Sequence, residues 1–208
     1  MEKAFDRVPR NLVWQALRSQ KVPEAYIALI QDMYDDISTQ VRSPAGISEP
    51  FQVKVGVHQG SALSPLLFNL TMDYITRDLQ PQIPWCLLYA DDIVLIAKKA
   101  AELQRTFNSW LTALERHGLR ISRTKTEFME CDFGGTEEIG CNILIGSTAL
   151  PKVSRSKYLG SMLTADARID EDVNHRVNTA WLKWRSLSGV LCDPKCRLKP
   201  KVKCIKLP

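Results

Sequence analysis

The sequence predicts an α+β fold, an antiparallel sheet with helices on one face. Two observations carry that expectation. Apolar residues recur at helical spacing in five stretches. The strand-like runs between them are short and punctuated by Gly, Pro or Asp turns, and no regular helical crossovers link them. A chain of 208 residues suffices for one sizeable core, or a core with an appendage.

In "VPRNLVWQALRSQ", Pro9 suits a first helical turn, and Leu12, Trp14 and Leu17 are available to a core. "VPEAYIALIQDMY" repeats the pattern, with Pro23 at its start and Ile27, Ile30 and Tyr34 on one face. "STQVRSPAGISEPFQVKVGV" reads as a hairpin. Val41 leads into a Pro–Gly turn, and Phe51, Val53 and Val55 alternate on the return. "SPLLFNLTMDYITRDL" is the clearest helix. Ser64 is a candidate cap, Pro65 fits the first position, and Leu66, Leu67, Leu70, Tyr74 and Ile75 form the expected buried stripe. Leu103, Phe107, Trp110 and Leu114 mark a further helix that Gly118 can end. "LRIS", "CNILIG", "TALPKV" and "KYLG" read as short strands. The last helix surrounds "DEDVNHRVNTAWLKWRSLSGVL", with acids at its start and Val173, Val177, Ala180, Trp184 and Leu187 inward. A boundary is expected between 161 and 170, where hairpins give way to this helix.

Hydrophobic residues make up 45% and charged residues 25%, which excludes a disordered chain. No apolar run reaches membrane-span length. Glu2 and Lys3 follow Met1 with no apolar stretch behind them, so no leader is expected and the compartment is intracellular, cytoplasm or nucleus. The net charge of +5 points weakly to an anionic partner. Lys195, Arg197, Lys199, Lys201, Lys203 and Lys206 crowd the C-terminus, either as a solvated tail or as a nucleic-acid contact. The six cysteines are expected as free thiols. Cys192, Cys196 and Cys204 with His175 match no standard zinc spacing.

"CLLYADDIVLIA" holds the most informative residues. Asp91 and Asp92 stand side by side between two apolar runs, at the tip of a strand–turn–strand hairpin. Adjacent carboxylates are either an ordinary polar turn or a pair whose repulsion a divalent cation relieves. Upstream, Gln59 and Gly60 sit in a loop that leads into the N-terminus of the Ser64 helix. Such an end suits a phosphate or nucleotide, although a loop closed by a capped helix is the simpler reading.

Five segments together are more specific than either motif. "MEKAFDRVP", "VHQGSALSPLLFNL", "YADD", "GLRISRTKTEFM" and "KYLGSML" resemble, in order and at compatible spacing, palm motifs A to E of the reverse transcriptase of non-LTR (LINE-type) retrotransposons. The resemblance runs from residue 1 to about 192. It implies a polymerase palm with an antiparallel ferredoxin-like sheet and a remnant of fingers over 1–165. A partial α-helical thumb with a basic tail follows over 166–208.

The implied activity is RNA-directed DNA synthesis, a Mg²⁺-dependent nucleotidyl transfer with an RNA template, a DNA primer and a dNTP as partners, and no membrane. By the same resemblance Asp91 and Asp92 are catalytic metal ligands. Phe5 is the steric gate beneath the sugar. Gln59, Gly60 and Tyr89 are substrate-binding. Lys125 lies near the leaving pyrophosphate as proton donor or charge stabiliser, or is a plain surface lysine. Tyr158, Leu159 and Gly160 form the primer grip, and the Trp181–Trp184 helix opens the thumb.

The family's motif A aspartate precedes the position matching Met1, so the two-metal site is expected to be incomplete in residues 1–208 and the polypeptide inactive. As a strand, residues 2–6 would put Glu2, Ala4 and Asp6 on the metal-facing side, with Glu2 too far along to substitute. A non-catalytic nucleic-acid-binding remnant of a retroelement is the alternative, and a metal-dependent nuclease ranks last.

Overall fold

Prolines set the first two long helices of the computed structural model, which describes residues 1–80, 85–131 and 142–192. Pro9 caps α2 (Arg10–Ser19) and Pro23 caps α3 (Glu24–Asp32); α1 is a single turn, Ala4–Arg7. Each proline has a helix-like φ and an extended ψ, so the chain enters the helix at the next residue. Helix α2 buries Leu12, Val13, Ala16 and Leu17, while Trp14 is half-buried and edge-on to Tyr34 at 5.8 Å between ring centroids. Within α3 only Ile27 is buried; Ile30 is half-buried and Tyr34, just past the helix, is buried.

Helix α4 (Ser64–Thr76) turns a different face inward from the one expected. The cap position is Leu63, and Ser64 lies inside the first turn, buried, with Oγ 3.5 Å from the Tyr34 hydroxyl. The buried stripe is therefore Leu67, Phe68, Thr71, Met72 and Ile75; Leu66 is exposed, and Leu70 and Tyr74 are half-buried. Thr71 and Thr76 tolerate burial because their hydroxyls donate to the carbonyls of Leu67 and Met72, at 2.8 and 2.7 Å.

Helix α5 (Ala100–Arg116) follows expectation, with Phe107, Trp110 and Leu114 buried and Leu103 half-buried. Gly118, at φ 80°, ends it: the Gly118 and Leu119 amides donate to the carbonyls of Glu115 and Leu114, at 3.0 Å each. That is the Schellman arrangement, which needs a left-handed residue at this position.

Strands pair antiparallel in separate two-stranded ladders. β1 (Ser38–Thr39) pairs with β4 (Phe51–Gln52) around an inner pair, β2 (Arg42–Ser43) with β3 (Gly46–Ile47). β5 (Cys86–Tyr89) pairs with β6 (Asp92–Leu95), and β7 (Leu144–Ile145) with β8 (Thr148–Ala149). Helices and antiparallel pairs make a mixed α+β chain, as expected. A single ferredoxin-like sheet does not assemble among the described residues.

Two expected strands are missing from it. "LRIS" forms no ladder; its Arg120 carbonyl accepts one hydrogen bond, from the Glu2 amide at 2.9 Å. Residues 4–7 are α1 rather than strand, because Lys3 at φ 46° turns the chain and buries Ala4. Glu2, Ala4 and Asp6 therefore do not share a face: Glu2 pairs with Arg7 at 3.6 Å and Asp6 meets Gln59.

The chain forms two compact units. The first gathers residues 1–126 and 142–151 of those described, around a core that includes Val8, Leu17, Ile27, Leu67, Phe68 and Leu114. The second gathers 127–131 and 152–192. In it β9 (Arg155–Tyr158) pairs with β10 (Ser161–Thr164), and α6 (Asp170–Leu191) follows.

The acids Asp170, Glu171 and Asp172 do fill the first turn of α6. Its expected inner face is not buried: Val173, Val177, Ala180 and Trp184 are exposed and Leu187 is half-buried. Polar bonds join its N-terminal end to the hairpin, through Glu171, Asp172 and Arg176. No described helix is long and apolar enough to cross a membrane.

Candidate active site

The hairpin β5–β6 has a two-residue turn, Ala90–Asp91, with Tyr89 opposite Asp92 in register. Ala90 has φ 51°, the left-handed value that a tight type II′ hairpin turn places at its first central residue and usually gives to glycine. Alternation then sorts the side chains. Leu88, Ala90 and Ile93 pack on the core, while Tyr89 and Asp92 are exposed and Asp91 is half-exposed. The two carboxylates thus stand at the solvent edge of a hairpin whose opposite face is held by the core. The amino nitrogen of Met1 is 4.0 Å from Asp91 Oδ2. A residue placed before Met1 would therefore lie beside the carboxylate pair.

A second feature packs the loop 56–60 directly on the segment 5–10. The amides of Gly56 and Val57 donate to the carbonyls of Val8 and Phe5, at 2.9 and 2.8 Å, and Arg10 Nε donates to the Gly56 carbonyl at 3.2 Å. Arg10 also donates from Nη1 to the Tyr34 carbonyl at 2.8 Å and lies over the Tyr34 ring, which also stacks on His58 at 4.4 Å. Phe5 is half-buried, with its ring stacked on Phe68 at 4.6 Å and 18°. Gln59 and Gly60 are exposed at the end of this loop, and Gln59 Nε2 donates to Asp6 Oδ1 at 2.7 Å. Helix α4 begins just beyond, with no side-chain cap on its first turn.

Lys125 is exposed in the turn after Ser122, and its ammonium forms no ion pair among the described residues. Tyr158, Leu159 and Gly160 lie in the second unit, at the tip of β9–β10. Leu159 at φ 48° and Gly160 at φ 88° make a type I′ turn, with both central residues left-handed. A bulky, exposed Leu159 in the place where Asn is favoured is a strained residue at a hairpin tip. Of the cysteine–histidine group, Cys192 is a free, exposed thiol, and Cys196 and Cys204 lie outside the described residues, as does the basic tail from Lys195.

Asp172 ties α6 to this hairpin. Its Oδ1 accepts the Met162 amide at 2.8 Å and its Oδ2 the Arg176 guanidinium at 2.8 Å. Those two bonds, the Met162 amide first, hold the Asp172 carboxyl below its ordinary range. A lowered folded pKa gives stability that is present above the unfolded value and is lost as pH falls through the folded one. Acidification is therefore expected to release the Met162 amide, seen as a shift and faster hydrogen exchange of that resonance once pH falls below the ordinary aspartate range. Asp172→Asn should remove the transition, and an unchanged pH profile in that variant would contradict the assignment.

Sequence reasoning placed Asp6 only as a possible carboxylate near the metals and did not find its bond to Gln59, Gly56 as a contact point, or the Arg10–Tyr34–His58 stack. Gln59 lies 53 positions from Asp6, and no local pattern announces that pairing.

The reverse transcriptase (RNA-dependent DNA polymerase) family profile matches residues 1–163. The Pol polyprotein of the type-2 retrotransposable element R2DM of Drosophila melanogaster is 30% identical over 81% of this chain and 17% of its own length. The Pol polyprotein of the R2 element of Nasonia vitripennis is 28% identical over 92% of this chain and 21% of its own. A probable RNA-directed DNA polymerase from transposon BS of Drosophila melanogaster is 29% identical over 81% and 20%. The chain spans about a fifth of the length of these curated relatives. With the profile matching most of its length, the chain belongs to the reverse transcriptase family, in its non-LTR retrotransposon type.

Proposed function

We propose that residues 1–165 form the palm of an RNA-directed DNA polymerase and 166–208 the start of its thumb, acting on an RNA template, a DNA primer and a dNTP inside the cell. The observation that carries this reading is the Ala90–Asp91 turn, which presents two adjacent carboxylates at a solvent edge beside residue 1. The pair fits a divalent cation in its chemistry, since both are hard oxygen donors open to solvent. Among the described residues no group of three His, Cys, Asp or Glu side chains gathers. Further ligands would come from substrate phosphates and from a carboxylate preceding Met1.

Asp91 and Asp92 would hold Mg²⁺, which when bound would supply charge stabilisation for the attacking and leaving oxygens of the nucleotidyl transfer. The chain's own residues position and exclude. Phe5, braced by Phe68, offers a fixed ring edge against a sugar 2′-hydroxyl. Gln59, Gly60 and Tyr89 present exposed polar and aromatic surface for the nucleotide and template. Lys125 brings an ammonium on a flexible stem for the pyrophosphate. Tyr158, Leu159 and Gly160 hold the primer end on their hairpin tip.

Primer extension on an RNA template with Mg²⁺ tests the reading. Residues 1–208 alone are expected to extend poorly. A version with Asp placed before Met1 is expected to extend, and Asp91→Asn in that version to lower the rate by at least about 100-fold. Extension that survives Asp91→Asn would sink the metal assignment. Salt-dependent binding of template–primer without extension in any version would favour the non-catalytic binding module, which the net charge of +5 also suits.

A further inference from the structure

Asp6 has no role in the reading above, although it lies in the same segment as Phe5. Its backbone lies directly against Gly56. Gly56, at φ 82°, sits so close that an added Cβ would lie 2.7 Å from the Asp6 carbonyl oxygen and 2.8 Å from the Asp6 carbonyl carbon and the Phe5 oxygen. The Gly56 and Val57 amides bond to the segment on either side of that contact, and Arg10 holds the Gly56 carbonyl. The backbone leading to Gln59 is thus anchored three residues before it, and what remains free is the direction of the Gln59 amide.

Asp6 takes up that freedom. A carboxylate only accepts hydrogen bonds, whereas a glutamine amide has one accepting and one donating end. Against Asp6 Oδ1 at 2.7 Å, only the Nε2 end of Gln59 can bond. The other end, Oε1, is then turned away from Asp6 toward solvent, with one Nε2–H left over.

We infer that Asp6 is a positioning residue that fixes the polarity of Gln59, so that an acceptor oxygen is presented to whatever docks on this loop. Resting on the polymerase reading, the docked group is a hydrogen-bond donor of the incoming nucleotide. The isosteric Asp6→Asn tests this, because an asparagine both donates and accepts and so permits either orientation of Gln59. Asp6→Glu keeps an acceptor-only group and serves as the conservative rescue.

In ¹⁵N-labelled residues 1–208 the Gln59 side-chain amide is expected to give one pair of well-separated resonances with slowed exchange. They should move to the solvent-exposed glutamine region in Asp6→Asn and stay near the native positions in Asp6→Glu. In the version with Asp placed before Met1, the affinity of the RNA–DNA template–primer complex for the next complementary dNTP, with Mg²⁺, should fall about five-fold on Asp6→Asn, the loss expected for one hydrogen bond. Template–primer affinity without dNTP should be unchanged.

Gln59 resonances that do not respond to Asp6→Asn overturn the inference, whatever the nucleotide affinity. Resonances that respond, while dNTP tightens neither protein's complex, uphold the Asp6–Gln59 pairing and count instead against the polymerase reading.

Discussion

Phe68→Ala is expected to destabilise the first unit by about 3–5 kcal/mol, the cost of truncating a fully buried phenylalanine. The loss has two parts. One is the apolar burial and the cavity left on α4, and the other is the stack with Phe5, for which an aromatic pair contributes about 0.5–1.5 kcal/mol beyond its area. Phe68→Leu separates them, since it keeps most of the volume and removes the ring. Urea denaturation of both variants measures the split. The Leu variant is expected to cost about 1–2 kcal/mol. It should also loosen the Phe5 ring, which loses its stacking partner. A Phe68→Ala protein with an unchanged denaturation midpoint would mean that α4 does not bury this face.

Gly56→Ala is expected to cost about 2–4 kcal/mol, from two mechanisms that a second variant can separate. At φ 82° any Cβ is strained, and at this site it also meets backbone atoms of Asp6 and Phe5, which cannot swing aside as a side-chain tip can. Gly60, at φ 85°, shares the strain but has nothing within 4 Å of an added Cβ. Gly60→Ala should therefore cost only about 1–2 kcal/mol. The difference between the two denaturation midpoints isolates the contact, and hydrogen exchange of the Val57 amide should speed up in Gly56→Ala alone. Equal costs at the two positions would show that the loop does not rest on residues 5 and 6.

These two sites mark where local reading stops. Helix boundaries were legible because their causes are local. Pro9 and Pro23 preset φ at the helix entry, and Gly118 permits the left-handed turn that ends α5. The Asp91–Asp92 tip was legible because apolar runs of strand length flank it. The face that α4 buries was not. It rotated because Ser64 went inward to Tyr34 instead of capping, and that choice depends on a hydroxyl 30 positions away. The inner face expected of α6 failed for a related reason: periodicity tells which residues share a face and not whether anything covers it.

By itself the sequence determined the family, through five ordered motifs, together with the α+β class, most helix limits and the presence of an acidic hairpin tip. Only the tertiary structure decided that Asp6 belongs to Gln59 and that Phe5 rests on Phe68. The physical reason is range. Helix and turn signals act over one to five residues, through backbone dihedrals and hydrogen bonds that the local sequence controls. A contact such as Gly56 against Asp6 exists only once the whole core has set where two distant backbones meet.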